Sequence, residues 1–209
     1  VGFHSEEQWV QWIDQLAQHD YVVIDDFMLD DQLNEVLSYM QVALNNQDFK
    51  PAAIGTLDNR QRITNIRGDR TFWLDRKRDQ QVENFFLFVD EMIARINRLC
   101  FLSLAGYEFH YAHYPERTFY KRHVDQFKDR SNRLITFILY LNDRWSLGDG
   151  GELMIYKGDQ EIKVEPIMNR CVLFKTEGLE HEVLLSNTSR FSLTGWLLYQ
   201  PSGVGYLLT

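Results

Sequence analysis

Tyr107-Glu108-Phe109-His110-Tyr111-Ala112-His113-Tyr114 is where the chain changes period. Before it, apolar residues recur at helical spacing; from it onward, short aromatic, β-branched or alternating segments follow one another. These segments are 107–114, 118–124, 133–141, 152–156, 161–164, 171–175, 182–185 and 190–199. Gly148-Asp149-Gly150-Gly151, Lys157-Gly158-Asp159 and Ser186-Asn187-Thr188-Ser189 supply turn chemistry between several of them. About eight strands after a helical half predict an antiparallel sandwich or barrel buttressed by helices.

Upstream, Ser5 is placed to cap a helix with Trp9, Trp12, Ile13 and Leu16 at helical spacing. Tyr21-Val22-Val23-Ile24 reads as a strand ending at Asp25-Asp26. Asp30 is the expected cap of a second helix carrying Leu33, Val36, Leu37, Met40 and Leu44. Val82, Phe85, Phe86, Val89, Ile93 and Ile96 mark a third. Between the second and third helices, residues 46–79 are polar, arginine-rich and irregular, which is the character of a functional loop. No internal repeat or linker stands out. A single domain over 1–209 is expected, with helical support over about 1–105 and a barrel core over about 107–200.

At 209 residues and 44% hydrophobic, the chain can bury one substantial core. A formal net charge of −8 and a pI near 5.2 bias it against nucleic-acid and anionic-membrane partners. No apolar stretch approaches a membrane span, and no basic-then-apolar leader opens the sequence. The expectation is a soluble cytoplasmic protein, a monomer by default. Cys100 and Cys171 are far apart and form no CxxC, so they read as small buried hydrophobes.

His123-Val124-Asp125, with His181 further on, is the ligand set of a non-haem Fe(II) facial triad, which leaves the opposite coordination positions open. On a strand, residues two apart share a face, so His123 and Asp125 can reach one ion while Val124 points away. An H-x-D triplet alone is weak evidence, and zinc accepts the same donors. Arg190 gives the triplet context. It lies across a Ser-Asn-Thr-Ser turn from His181, so a hairpin would bring it near the metal. It also heads the apolar run Arg190-Phe191-Ser192-Leu193-Thr194-Gly195-Trp196. A buried guanidinium needs a partner, and a carboxylate is its bidentate match. His4, His19, His110 and His113 fit no motif and read as structural or surface residues.

Tyr114-Pro115, Tyr120-Lys121-Arg122-His123-Val124-Asp125, Tyr140-Leu141-Asn142, Gly150-Gly151-Glu152-Leu153, His181-Glu182-Val183 and the run from Arg190 to Trp196 together resemble the 2-oxoglutarate- and Fe(II)-dependent prolyl hydroxylases. The hypoxia-sensing type and its bacterial homologues are the nearest in pattern. Ile66-Arg67-Gly68-Asp69 with Trp73 resembles a substrate-covering loop of the same group. The segment from Tyr114 to His123 is slightly shorter than in the animal sensors, and nothing long follows Tyr199, where those sensors carry a clamping helix.

The resemblance implies an α+β, mainly β fold: a double-stranded β-helix (jelly roll) barrel buttressed by N-terminal helices. It assigns His123, Asp125 and His181 to iron, and Arg190 with Tyr140 to the distal carboxylate of 2-oxoglutarate. Thr136 and Tyr114 would line the co-substrate pocket, while Arg67, Asp69, Trp73, Arg133 and Trp196 would bind substrate or order the loop. The implied reaction is O2-dependent hydroxylation of a prolyl C4 in a cytosolic protein, giving succinate and CO2, with ascorbate as a candidate accessory. A translation factor such as elongation factor Tu is a candidate substrate. The alternatives are an oxygenase acting on another side chain or a free amino acid, and a non-catalytic metal-binding jelly-roll sensor. A second arginine, typical of nucleic-acid demethylases, is replaced by Trp196.

Overall fold

The computed structural model describes residues 3–52, 66–125 and 132–199. Helix α1 (Glu6–His19) starts at Ser5, whose side chain and that of Gln8 form a reciprocal capping box. Strand β1 (Tyr21–Ile24) leads into α2 (Asp30–Asn45). Here the cap position is Leu29 rather than Asp30, and no side chain bonds the free amides. Asp30 and Asp31 instead lie in the first turn, where their charge complements the helix dipole. A 3₁₀ turn (Gln80–Val82) runs directly into α3 (Glu83–Cys100).

The segment expected to be irregular over 46–79 contains two short strands, β2 (Lys50–Pro51) and β3 (Arg70–Trp73); its residues 53–65 lie outside the described residues. Two- and four-residue strands are too short to show a period of their own. β3 exists because β4 (Gly106–Tyr114) gives it a partner, from Arg70 opposite His113 to Trp73 opposite His110.

The remaining strands are β5 (Tyr120–His123), β6 (Arg133–Tyr140), β7 (Leu153–Lys157), β8 (Gln160–Val164), β9 (Cys171–Lys175), β10 (Glu180–Val183) and β11 (Arg190–Leu198). They lie within a residue or two of the expected segments. They form two antiparallel sheets, β1-β9-β6-β11-β4-β3-β2 and β5-β10-β7-β8. The turn after β10 therefore does not close a hairpin. It carries the chain from the small sheet into the large one, where β11 pairs with β4 and β6.

The alternation of strand residues decides which faces meet. Phe109 and Tyr111 of β4, Phe137 and Leu139 of β6, Leu173 of β9, and Leu193 and Leu197 of β11 turn to one side. There they pack on Trp9, Phe27, Val36, Phe85, Phe88 and Met92 from the helical half. Residues of opposite parity, Ile138, Tyr140, Val172 and Phe174, turn inward to meet Leu153, Ile155 and Val164 of the small sheet. Cys171 is buried in the helix-facing core and Cys100 is half-buried, both as free thiols. No helix among the described residues is long and apolar enough to cross a membrane.

Asp79 ties this scaffold to the cavity rim. Its buried carboxylate accepts the Tyr39 hydroxyl at 2.6 Å, the Asp75 amide at 2.7 Å and Arg78 Nε at 2.6 Å, and Arg78 also donates to the Trp73 carbonyl. Burial opposes ionisation, but these donors outweigh it and hold the Asp79 pKa below its ordinary value. A depressed pKa contributes stability above the unfolded-state value of about 3.9 that is lost as pH falls through the folded one. Asp79→Asn is expected to cost about 2 kcal/mol at pH 7 and less at pH 3, measured by urea unfolding at both.

Candidate metal centre

His123 and His181 face each other because they are register partners across β5 and β10. Opposed residues on one face bring their side chains together, and the two imidazole centroids are 4.3 Å apart. Asp125 lies past the end of β5, in a bend rather than on the strand that the H-x-D spacing suggested. It reaches the histidines nonetheless: Oδ1 is 3.5 Å from His123 Nε2, and Oδ2 is 3.6 Å from His181 Nε2. The three ligand atoms lie within 4.8 Å of one another, and Val124 is exposed.

Each histidine is oriented through its other nitrogen. His123 Nδ1 is 2.7 Å from the Lys121 carbonyl, and His181 Nδ1 is 3.2 Å from that of Leu179. Carbonyls only accept, so Nδ1 carries the proton in both rings and Nε2 presents its lone pair. Burial lowers the His181 pKa, which favours the neutral, ligating form. Asp125 Oδ2 accepts the Thr136 hydroxyl at 2.8 Å and the Trp196 indole N–H at 2.9 Å. Burial works against its charge, yet positive charge on the imidazoles, present when no metal replaces their Nε2 protons, and the indole N–H hold its pKa well below the usual carboxylate range. Two neutral nitrogens and one ionised oxygen, converging and braced, suit a divalent metal of the Fe(II) type.

A cavity of about 760 Å³ opens over this cluster. One wall is read directly from β11, where Arg190, Ser192, Thr194 and Trp196 alternate with residues packed on the helices. At one side Arg190 is buried. Its Nε donates to the Gly151 carbonyl at 2.8 Å, its Nη1 reaches Ser192 Oγ at 3.4 Å, and the guanidinium lies 4.8 Å and 5.0 Å from the ring centroids of Tyr114 and Tyr140. No carboxylate among the described residues pairs with it. Among the described residues, the buried Tyr140 hydroxyl beside it has no hydrogen-bond partner; burial pushes its pKa up to about 12, against the opposing pull of Arg190. A desolvated cation next to an orphaned hydroxyl fits a ligand carboxylate. Gly151 makes room for this arrangement. Its φ is +74°, and a Cβ there would sit 2.8 Å from Ser186 Oγ and 3.0 Å from Arg190 Cδ.

The loop residues gather at the mouth. Arg67 pairs bidentately with buried Asp69 at 2.7 and 2.6 Å and lies 4.2 Å over the Tyr120 ring. Tyr120 stacks on His123 at 3.6 Å, a brace that the sequence reading did not single out. Arg133 pairs with Glu108 at 2.9 Å and sits 3.4 Å over Trp196. Trp73 is half-exposed, next to His110 and Trp196. His110, assigned above to structure or surface, lines the cavity. Its parity with Ala112 and Tyr114 on β4 was the available signal.

Residues 109–198 match the model of the 2OG-Fe(II) oxygenase superfamily. A prolyl-4-hydroxylase from Pseudomonas putida is 30% identical, with 92% of this chain and 100% of that one aligned at a TM-score of 0.83. The chain belongs to the 2OG-Fe(II) oxygenase superfamily. A prolyl hydroxylase from Trichoplax adhaerens, solved with a hypoxia-inducible-factor peptide fragment, is 26% identical over 92% of this chain and 90% of that one, also at a TM-score of 0.83. The mouse prolyl 3-hydroxylase OGFOD1 is 36% identical over 81 residues, which span 34% of this chain and only 15% of that protein. The two sheets and their helical backing are thus the double-stranded β-helix of this superfamily, whose members use Fe(II), 2-oxoglutarate and O2.

Because Trp196 orients Asp125 through its N–H alone, Trp196→Phe is expected to keep the packing and weaken metal binding roughly 10- to 100-fold. Calorimetric titration with Fe(II) or Mn(II) under anaerobic conditions measures this. An unchanged affinity would assign the indole to packing only.

Proposed function

We propose that the protein is a 2-oxoglutarate-dependent hydroxylase of a prolyl residue, at C4, in a cytosolic protein substrate. The observation that carries this reading is that Arg190, buried and without a carboxylate partner among the described residues, lines the cavity that also holds three convergent candidate metal donors, and that the unpaired Tyr140 hydroxyl lies beside it. His123, Asp125 and His181 would hold the iron, and Arg190 with Tyr140 would hold the distal carboxylate of 2-oxoglutarate. Thr136 holds Asp125 in place, and Tyr114 flanks the guanidinium. Arg67, Trp73, Arg133 and Trp196 line the cavity where the peptide would enter, and buried Asp69 would hold Arg67 in place.

When bound, Fe(II) with 2-oxoglutarate and O2 supplies the oxidation: one oxygen atom goes into succinate as CO2 leaves, and the other into a substrate C–H bond. The chain's own contribution is positional. Arg190 fixes one end of the co-substrate by charge-assisted bonds, and its burial strengthens them by excluding water. Tyr120 and the Nδ1 bonds fix the imidazole planes, while the aromatic mouth shields the reacting carbon.

Support for proline as the target comes from the relatives named above, and elongation factor Tu is the first substrate to try. The match to a prolyl 3-hydroxylase makes C3 the competing carbon. The test is mass spectrometry of elongation factor Tu and of cytosolic protein before and after treatment with Fe(II), 2-oxoglutarate and enzyme, with and without ascorbate. A 2-oxoglutarate-dependent gain of one oxygen on proline is expected, and separation of 3- from 4-hydroxyproline in the hydrolysate assigns the carbon. Peptide-dependent succinate formation that survived His123→Ala would refute the mechanism. Arg190→Met is expected to raise the KM for 2-oxoglutarate about 100-fold, the cost of unpairing a buried charged contact.

A further inference from the structure

His110 sits on β4 within a wall of three aromatic rings. Its centroid is 4.6 Å from that of Trp73 and 5.5 Å from that of Trp196, and the two indoles are 6.2 Å apart. The wall adjoins the metal donors, because Trp196 also bonds Asp125. Among the described residues no hydrogen bond reaches either nitrogen of the His110 ring, and Nδ1 is sealed from solvent without a partner. Buried polar atoms are ordinarily paired, and an apolar side chain would fill this position without the penalty. An exception inside a binding cavity points to a partner that the chain does not supply.

The ring's chemistry says which partner. Burial, with the Arg67 charge, holds the imidazole neutral, its pKa lowered to about 3. A neutral imidazole has one donor and one acceptor. A sealed N–H is the rarer and costlier orphan, so the lone pair belongs on Nδ1 and the hydrogen on Nε2. Nε2 is the nitrogen left to meet the cavity that His110 lines. An amide bond preceding proline has no N–H and offers only its carbonyl oxygen. One donor set in an apolar surface suits such an amide and leaves the N–H of an ordinary amide unpaired, and His110 beside two indoles is that combination.

We propose that His110 is a specificity-determining residue, donating from Nε2 to the carbonyl that precedes the target proline; this rests on the prolyl reading above. The probe is a panel of ten-residue peptides of defined sequence, each with one proline, together with versions in which the carbonyl before proline is replaced by a fluoroalkene. For peptides turned over by the wild type, His110→Leu is expected to raise the peptide KM about tenfold, leaving the KM for 2-oxoglutarate in place. His110→Gln, which keeps an N–H donor, recovers most of that loss. The fluoroalkene should weaken binding to the wild type but not to His110→Leu.

In ¹⁵N-histidine-labelled wild-type protein loaded with Zn(II) and 2-oxoglutarate, adding peptide should shift the His110 Nε2 proton. Equal peptide KM for wild type and His110→Leu, or an Nε2 proton indifferent to peptide, overturns the proposal. If the wild type neither binds nor hydroxylates any member of the panel while still binding 2-oxoglutarate, the prolyl reading itself falls and takes this inference with it. A failure of His110→Leu alone to discriminate leaves the prolyl reading standing.

Discussion

The Asp125 carboxylate is the contact on which the site depends. One oxygen is held by Thr136 of β6 and Trp196 of β11, both in the large sheet, while the carboxylate faces His123 and His181 of the small sheet. It therefore joins the two sheets at the place where the metal donors converge. Each sheet alone would supply an incomplete site: two imidazoles on one side, or two hydrogen-bond donors with nothing to hold on the other. Burial of a carboxylate is costly, and here the Thr136 hydroxyl and the Trp196 indole N–H offset part of it.

The rest of the cavity follows from strand parity. In β4, β6 and β11 one set of alternate residues is largely apolar and packs on the helices, and the other, mostly polar or aromatic, supplies the cavity lining. The scaffold thus makes its core and its binding surface from the same strands, one face each. Three unusual residues lie on the inner face: among the described residues, a buried arginine has no carboxylate partner, and a tyrosine hydroxyl and an imidazole nitrogen have no hydrogen-bond partner. Such groups destabilise an isolated chain and are tolerated where a ligand satisfies them.

Much of this was legible in the sequence. The helical spacing of Trp9, Ile13 and Leu16, and of Phe85, Val89 and Ile96, placed two helices correctly because their buried faces span several turns. The strands after Tyr107 were found within a residue or two because alternation persists through each. The misses share a cause. β3 has too few residues to show a period, and Asp30 looks like a cap although the chain enters α2 one residue earlier. The turn after β10 looks like a hairpin because local sequence does not say to which sheet the next strand returns.

By itself, the sequence determined the candidate donors, the parity of most strands and, through several ordered motifs, the superfamily. These properties are local: they depend on residue type and on spacings of a few positions. Only the tertiary structure decided what each polar group on the inner face meets. Trp196 and Asp125 are 71 residues apart when they bond, Thr136 turned out to hold the carboxylate, and His110 proved to lie between two indoles from distant strands. Contacts of that range are set by which strands pair and how the sheets pack, and no short stretch of chain encodes them.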